Sequence, residues 1–278
     1  MNGHVADKSV IITGAASGFG RLVAEKAAAL GARLTCADIN LDGAQALAAA
    51  IRASGGTAQA IAADVTKMGD MRDLAREGVE AYGAIDVMIN NAGVMPLAFF
   101  ADHKDALDAW DRCIDINFKG VLHGMLAVYN QMMSQGRGHV INLSSIYGNH
   151  PVVGAAVYGA TKSAVNFLSE SLRVEARGKI KVTVIKPTGV PVTGLSATVI
   201  NQAAGIGILA HNMGEFTDMV MGMQAGTFPA ERLDPDNIDY ASLAPEHIAD
   251  AIIHAINQPW GISIAEVTVR AAGDYFIL

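Results

Sequence analysis

Short runs of aliphatic and β-branched residues alternate with longer alanine-rich segments along almost the whole chain. That rhythm is its strongest constraint. A strand followed by a helix returns to a parallel neighbour, and repeating the unit builds a parallel sheet with helices on both faces. Strands are expected at 9–13, 33–38, 57–62, 85–90, 139–144, 181–186 and 262–270, seven in all. Helices are expected at 18–30, 42–54, 68–82, 105–135, 157–177 and 245–256, the last with Pro245 preset for its first turn. The strands lack clean alternation, as befits a sheet buried on both sides. No repeat, linker or shift in composition divides the chain, so residues 1–278 are expected to form one doubly wound α/β domain with right-handed crossovers. The rhythm breaks only over 188–242, a strandless stretch rich in methionine (Met213, Met219, Met221, Met223) and long enough to predict a functional loop.

With 278 residues, 51% of them hydrophobic and 17% charged, the chain can bury a full core without disulfide or metal staples. A net charge of −7 offers no basic stripe for a polyphosphate, so nucleic acid is not an expected partner. Cys36 and Cys113 belong to no CxxC or Cys/His cluster, and they are expected as small buried hydrophobes in a reducing compartment, with no metal site. The first residues lack a basic segment leading into an apolar one, which makes the cytoplasm the expected location. Between Lys186 and Glu215 no residue is formally charged, a length that could cross a bilayer. Pro187, Pro191, Asn201, Gln202 and His211 interrupt it, and a loop with a helix is expected in place of membrane insertion.

Two clusters carry chemistry. Thr13-Gly14-Ala15-Ala16-Ser17-Gly18-Phe19-Gly20 joins a strand end to a helix start. There, glycines let the backbone approach a pyrophosphate, and the helix supplies free N–H groups and a favourable dipole. A glycine corner alone is weak evidence, but Asp38 ends the next strand, where a carboxylate can accept both ribose hydroxyls of an adenosine and repel a 2′-phosphate, favouring NAD over NADP. The alternative for Asp38 is a cap on the following helix. Asp64 fits equally an adenine contact or a cap on the helix at 68. In the second cluster, Tyr158 and Lys162 stand one helical turn apart, so a cation can draw a phenol of ordinary pKa about 10 toward neutrality for acid–base work. The bland alternative is a solvent-facing pair on an amphipathic helix.

Taken together, the Thr13–Gly20 turn, Asp64, Asn90-Asn91-Ala92-Gly93, Asn117, Ser144-Ser145, Tyr158 with Lys162, and Pro187 resemble the short-chain dehydrogenase/reductase family over residues 8–270. The resemblance implies a Rossmann domain with a substrate lid at about 188–242. It implies Tyr158 as general acid/base, Ser145 holding the substrate oxygen, Lys162 on the nicotinamide ribose and Asn117 ordering a relay water. Ser145 is chosen over Ser144 because the family serine precedes its tyrosine by thirteen positions. For NAD, the implied contacts are Gly14, Ser17, Gly18, Phe19, Gly20, Asp38, Ile39, Asp64, Val65, Asn91, Ala92, Gly93, Tyr158, Lys162, Pro187, Gly189, Val190 and Thr193. Without the resemblance, Asn91 to Gly93 read as a strand-ending turn and Asn117 as a surface helix residue.

The segment after Pro187 departs from the family's Pro-Gly order. Thr188 stands at the glycine, Val190 keeps the backbone register, and Thr193, expected to meet the carboxamide, is displaced by one position. Met95, Ser145, Tyr147, Asn149 and Met213 are the expected substrate contacts. The methionines, with Phe216 and Phe228, would suit a bulky hydrophobic ketone or secondary alcohol, or else pack on the core or a neighbouring subunit. A mean hydropathy of +0.29 and the apolar run Tyr275-Phe276-Ile277-Leu278 point to further buried surface. The family likeness implies a homotetramer or homodimer through the 105 and 157 helices and that edge. The implied activity is an NAD-dependent alcohol dehydrogenase or carbonyl reductase. The rival is an NAD-binding regulatory sensor without turnover, which would not need the Tyr158–Lys162 pair.

Overall fold

The computed structural model describes residues 3–190 and 194–278. Its sheet has seven parallel strands: β1 (Ser9–Thr13), β2 (Arg33–Asp38), β3 (Thr57–Ala62), β4 (Val87–Asn90), β5 (Gly138–Leu143), β6 (Ile180–Pro187) and β7 (Glu266–Val269). Their order is β3-β2-β1-β4-β5-β6-β7. The order reverses between β1 and β4, and the crevice outside the carboxyl ends of the strands there is where such sheets receive ligands. The central strands β1, β4 and β5 are buried along their whole length, as continuous apolar runs demand.

Helices α1 (Gly18–Ala29) and α2 (Leu41–Ala53) pack on one face of the sheet, and α3 (Met68–Tyr82) on the other. The single helix expected over 105–135 is instead α4 (His103–Cys113), a π-helical segment at Ile114–Lys119, and α5 (Gly120–Gln135). The π turn is held where Asn117 turns inward, and Gly120 admits Val65, whose Cγ2 would stand 2.7 Å from any Cβ at 120. The chain continues through α6 (Ala156–Glu175), the single turn α7 (Ile206–Leu209), α8 (Met213–Ala225) and α9 (Pro245–Ile256). Val23, Leu47, Ile248 and Ile252 fill the core under α1, α2 and α9. Met71, Val121, Met132 and Val165 fill the core under α3, α5 and α6.

The expected strands at 85–90 and 262–270 shorten to β4 and β7; Asp86 and Ala265 just before them still share backbone hydrogen bonds with the neighbouring strands. The 188–242 stretch contains no strand among its described residues. It folds into short helical turns and α8 around Ile208, Leu209 and Met219. No helix of the described residues is long and apolar enough to cross a membrane. Cys36 and Cys113 are free and buried.

Candidate active site

The glycine turn between β1 and α1 is shaped for close approach. Gly14 and Gly18 have φ of +67° and +53°, where an L side chain is strained, and a Cβ at Gly20 would collide with the Gly14 carbonyl. Asn91 braces the turn from β4, its Nδ2 donating to the carbonyls of Thr13 (2.9 Å) and Gly14 (3.1 Å). Ser17 caps α1 with backbone alone, and no acidic side chain lies in the first turn, so the helix N-terminus keeps its field for an anion. Asp38 fixes the turn from β2: its Oδ2 accepts from Ala16 N–H at 2.9 Å and its Oδ1 from Asn40 N–H at 2.8 Å. Asn40, not Asp38, caps α2, accepting from Gly43 N–H. Asp64 likewise does not cap α3; it accepts from the Thr66 backbone N–H and hydroxyl and pairs with Lys67.

These residues open on a cavity of about 1010 Å³. Gly14, Ser17, Gly18, Phe19, Asp38, Ile39, Asp64, Val65, Asn91, Ala92 and Gly93 line one end. Ser145, Tyr147, Tyr158 and Lys162 line its floor, with Pro187, Thr188, Gly189 and Val190 beside them. Gly20 lies behind the turn, outside that lining. Thr193 lies outside the described residues.

On the floor, three polar groups meet in a buried setting. Ser145 follows β5 at the start of the 146–148 turn, and its hydroxyl hydrogen-bonds Tyr158. Ser144 faces away from that bond, donating to the Lys162 carbonyl at 3.1 Å. Tyr158 is 3% exposed. Burial raises its phenol above the ordinary value near 10, with the Ser145 bond pulling the other way. The expected pull of Lys162 toward neutrality does not prevail. The ammonium lies 5.7 Å from the Tyr158 ring centroid and donates to the Leu143 carbonyl at 2.8 Å, so desolvation of the phenol wins. Burial also pushes Lys162 itself down to about 8. Tyr147 packs edge-on against Tyr158 at 5.5 Å between centroids.

Asn117 is fully buried behind this floor. Its Oδ1 accepts from Val94 N–H at 2.9 Å and its Nδ2 donates to the Val94 carbonyl at 2.8 Å, so the side chain locks the π turn to the strand-end loop and leaves the cavity wall to others. Met95 and Met213 line the cavity, whereas Asn149 is exposed and outside the lining, because the short 146–148 turn directs it to the surface.

The roof is apolar: Leu195, Val199, Ile208, Leu209, Phe216 and Met219. Only Phe216 and Met219 stood out in the sequence, since the others sit in turns without helical periodicity. Phe276 and the α4 residues Asp111 and Arg112 also line the cavity, brought there by tertiary packing alone. Tyr275 and Phe276 pack inside this chain against Phe216, which reassigns half of the apolar run expected at a subunit edge.

Residues 8–204 match the family model described as short chain dehydrogenase. The chain belongs to the short chain dehydrogenase family. An uncharacterised oxidoreductase of Listeria innocua is 34% identical over 268 residues, covering 95% of this chain and 96% of its own. A short chain dehydrogenase/reductase of Burkholderia phymatum, solved in complex with NAD, superposes with a TM-score of 0.74 at 25% identity, covering 95% of this chain and 89% of that one. An alcohol dehydrogenase of Thermococcus sibiricus, complexed with 5-hydroxy-NADP, gives a TM-score of 0.75 at 19% identity over 95% and 96% of the two chains, a likeness of fold. The relatives are oxidoreductases, and both of these solved structures hold a nicotinamide dinucleotide or a derivative of one. The turn that a Cβ would fill at Gly14 and Gly20, the uncapped α1 N-terminus and the Asp38 carboxylate fit such a cofactor.

Proposed function

We propose that the protein is an NAD(H)-dependent oxidoreductase that interconverts a hydrophobic secondary alcohol and its ketone. The observation that carries the reading is one continuous cavity, with the glycine turn at one end, Ser145, Tyr158 and Lys162 buried on its floor, and an apolar roof. A bound nicotinamide would supply the hydride acceptor or donor. Around it, the glycine turn and the α1 N-terminus hold the pyrophosphate, Asp38 takes the adenosine ribose and disfavours a 2′-phosphate, and Lys162 holds the second ribose. Asp64, Val65, Asn91, Ala92, Gly93, Pro187, Gly189 and Val190 complete the contacts.

The chain's own residues handle the proton. Tyr158 takes the hydroxyl proton of the alcohol, or returns it to the ketone oxygen, while the Ser145 hydroxyl donates to that oxygen as its charge develops. Charging a buried phenol is costly, and the Ser145 hydrogen bond offsets part of that cost, with Lys162 one helical turn away. Asn117 keeps the Val94 carbonyl and the π turn in place for the relay. Met95, Tyr147 and Met213 face the substrate, and the roof excludes water from it. The protein is expected in the cytoplasm as a homodimer or homotetramer, through the exposed apolar faces of α4 and α6, where Leu107 and Phe167 are 56% and 76% exposed.

The test is nicotinamide absorbance with NAD and NADP in parallel against cyclic, aryl and steroidal secondary alcohols. Turnover with NAD that vanishes in Tyr158→Phe is the expected result; silence across the panel would overturn the substrate class.

A further inference from the structure

We propose that Phe276 determines substrate selectivity, its ring forming the wall that limits how far an apolar substituent extends between the 187–190 turn and α8. This deepens the reading above and rests on it.

Phe276 lines the cavity although it lies far in sequence from every other lining residue. One side of its ring rests directly on Gly189, where any Cβ would collide with the ring edge. The other side meets the Phe216 ring at 6.0 Å between centroids. The ring therefore spans the gap from the turn after β6 to the roof helix.

The backbone that carries the ring is held from both sides. Arg270 donates to the carbonyls of Phe276 (2.7 Å) and Leu278 (2.6 Å) and pairs with the nearly buried Asp274 carboxylate, which accepts from Phe276 N–H at 3.1 Å. Ile277 N–H donates to the Ile208 carbonyl at 3.0 Å, fastening the segment to the roof. A wall so anchored rejects a long substituent by collision, because neither ring rotation nor backbone shift is free. In an apolar pocket one methylene changes specificity by about tenfold or more, so the removal of most of a ring is readable.

The experiment uses three phenyl ketones of increasing alkyl length, acetophenone, butyrophenone and octanophenone, with the NADH-saturated protein. It reads kcat/KM and, separately, the calorimetric Kd. Expressing each variant as its octanophenone-to-acetophenone ratio cancels any shared effect on cofactor affinity. Phe276→Ala is expected to raise the ratio at least tenfold, Phe276→Leu to raise it less, and Phe276→Trp to lower it. Arg270→Gln, which loosens the anchor without altering the wall, is expected to raise it about threefold. Ratios within twofold of wild type in both the alanine and tryptophan variants overturn the proposal. Ketones that bind but are not reduced would sink the functional reading while the Kd ratio still decides the role of Phe276. Failure of all three ketones to bind would overturn both.

Discussion

The two walls of the cavity are built by different rules. The wall at the carboxyl ends of β1, β2 and β4 is made of backbone and short polar side chains held by hydrogen bonds, Asn91 on Thr13 and Gly14 and Asp38 on Ala16, with Asn117 fixing Val94 from behind. The opposite wall is made of methionine and aromatic side chains on short helices, packed around Ile208, Leu209 and Met219. The first wall can hold one geometry only, since each displacement strands a buried donor or acceptor. The methionine part of the second can repack at modest cost, because flexible thioethers lose little when they slide, while Phe276 stays anchored by Arg270 and Ile208. Fixed chemistry on one side and adaptable recognition on the other is the division expected when one reaction is to be offered to a particular substrate.

If that division holds, changes to the polar wall should destroy rate or cofactor choice, and changes to the roof should move selectivity. Tyr158→Phe carries the largest effect. Removing the hydroxyl proposed to exchange the proton is expected to cut kcat about a thousandfold, within the range for general acid–base groups, with NADH affinity changed only a few-fold. Steady-state kinetics beside a cofactor titration checks it, and retained turnover would break the comparison at its root.

Asp38→Asn is next. Its carboxylate is the group proposed to disfavour a 2′-phosphate, and neutralising it while keeping the Ala16 bond is expected to raise the NADP-to-NAD ratio of kcat/KM about a hundredfold, near 2.7 kcal/mol. A ratio unmoved by the change would place cofactor choice elsewhere on this wall.

The same division explains what was legible in the sequence. β1, β2, β3, α3 and α9 appear with the expected bounds because their apolar patterns and their Gly and Pro boundaries are local. The glycine turn, Asp38 and the Tyr158–Lys162 spacing are local arrangements with a physical purpose, but each was weak alone, and their company with the family's other motifs assigned them. The π turn at Ile114–Lys119 was not legible, because nothing local distinguishes Asn117 from a surface residue until Val94 is brought beside it. Phe276 was misplaced toward a subunit edge because its partners, Gly189 and Phe216, are distant in sequence. Neither does proximity in sequence give the energetics: Lys162 stands one turn from Tyr158, yet burial governs both groups.

That burial yields a third prediction. The Lys162 ammonium titrates near pH 8 in the folded chain against 10.5 in the unfolded one, so between those values the unfolded chain binds the extra proton and folding stability rises with pH. Lys162→Met removes the buried charge. The variant is expected to be inactive and to melt a few degrees above wild type at pH 7, at roughly 2–4 °C per kcal/mol for a domain of this class, the advantage shrinking as pH rises from 8 to 10.5. Thermal melts across that range decide it. An advantage constant with pH would mean that the charge is not strained in the fold, and the polar wall would then be built for stability as well as for chemistry.

The smallest effect tests the roof. Residues 194–204 are tied to the loop after β4 by Asn201, whose Nδ2 donates to Asp102 Oδ2 at 2.8 Å, and by the backbone N–H groups of Ile200 and Asn201 on the Leu97 carbonyl. Asn201→Ala removes this tie and its bond to Ala203 N–H and leaves the Met95–Thr198 bond and the backbone bonds, so the roof opens more often without losing its closed form. KM for the ketone is expected to rise about threefold, under 1 kcal/mol, with kcat held within twofold because no group on the floor moves. A fall in kcat with KM unchanged would mean that the roof positions the reacting atoms as well as covering them. The two walls would then act as one, with selectivity and rate inseparable in this protein.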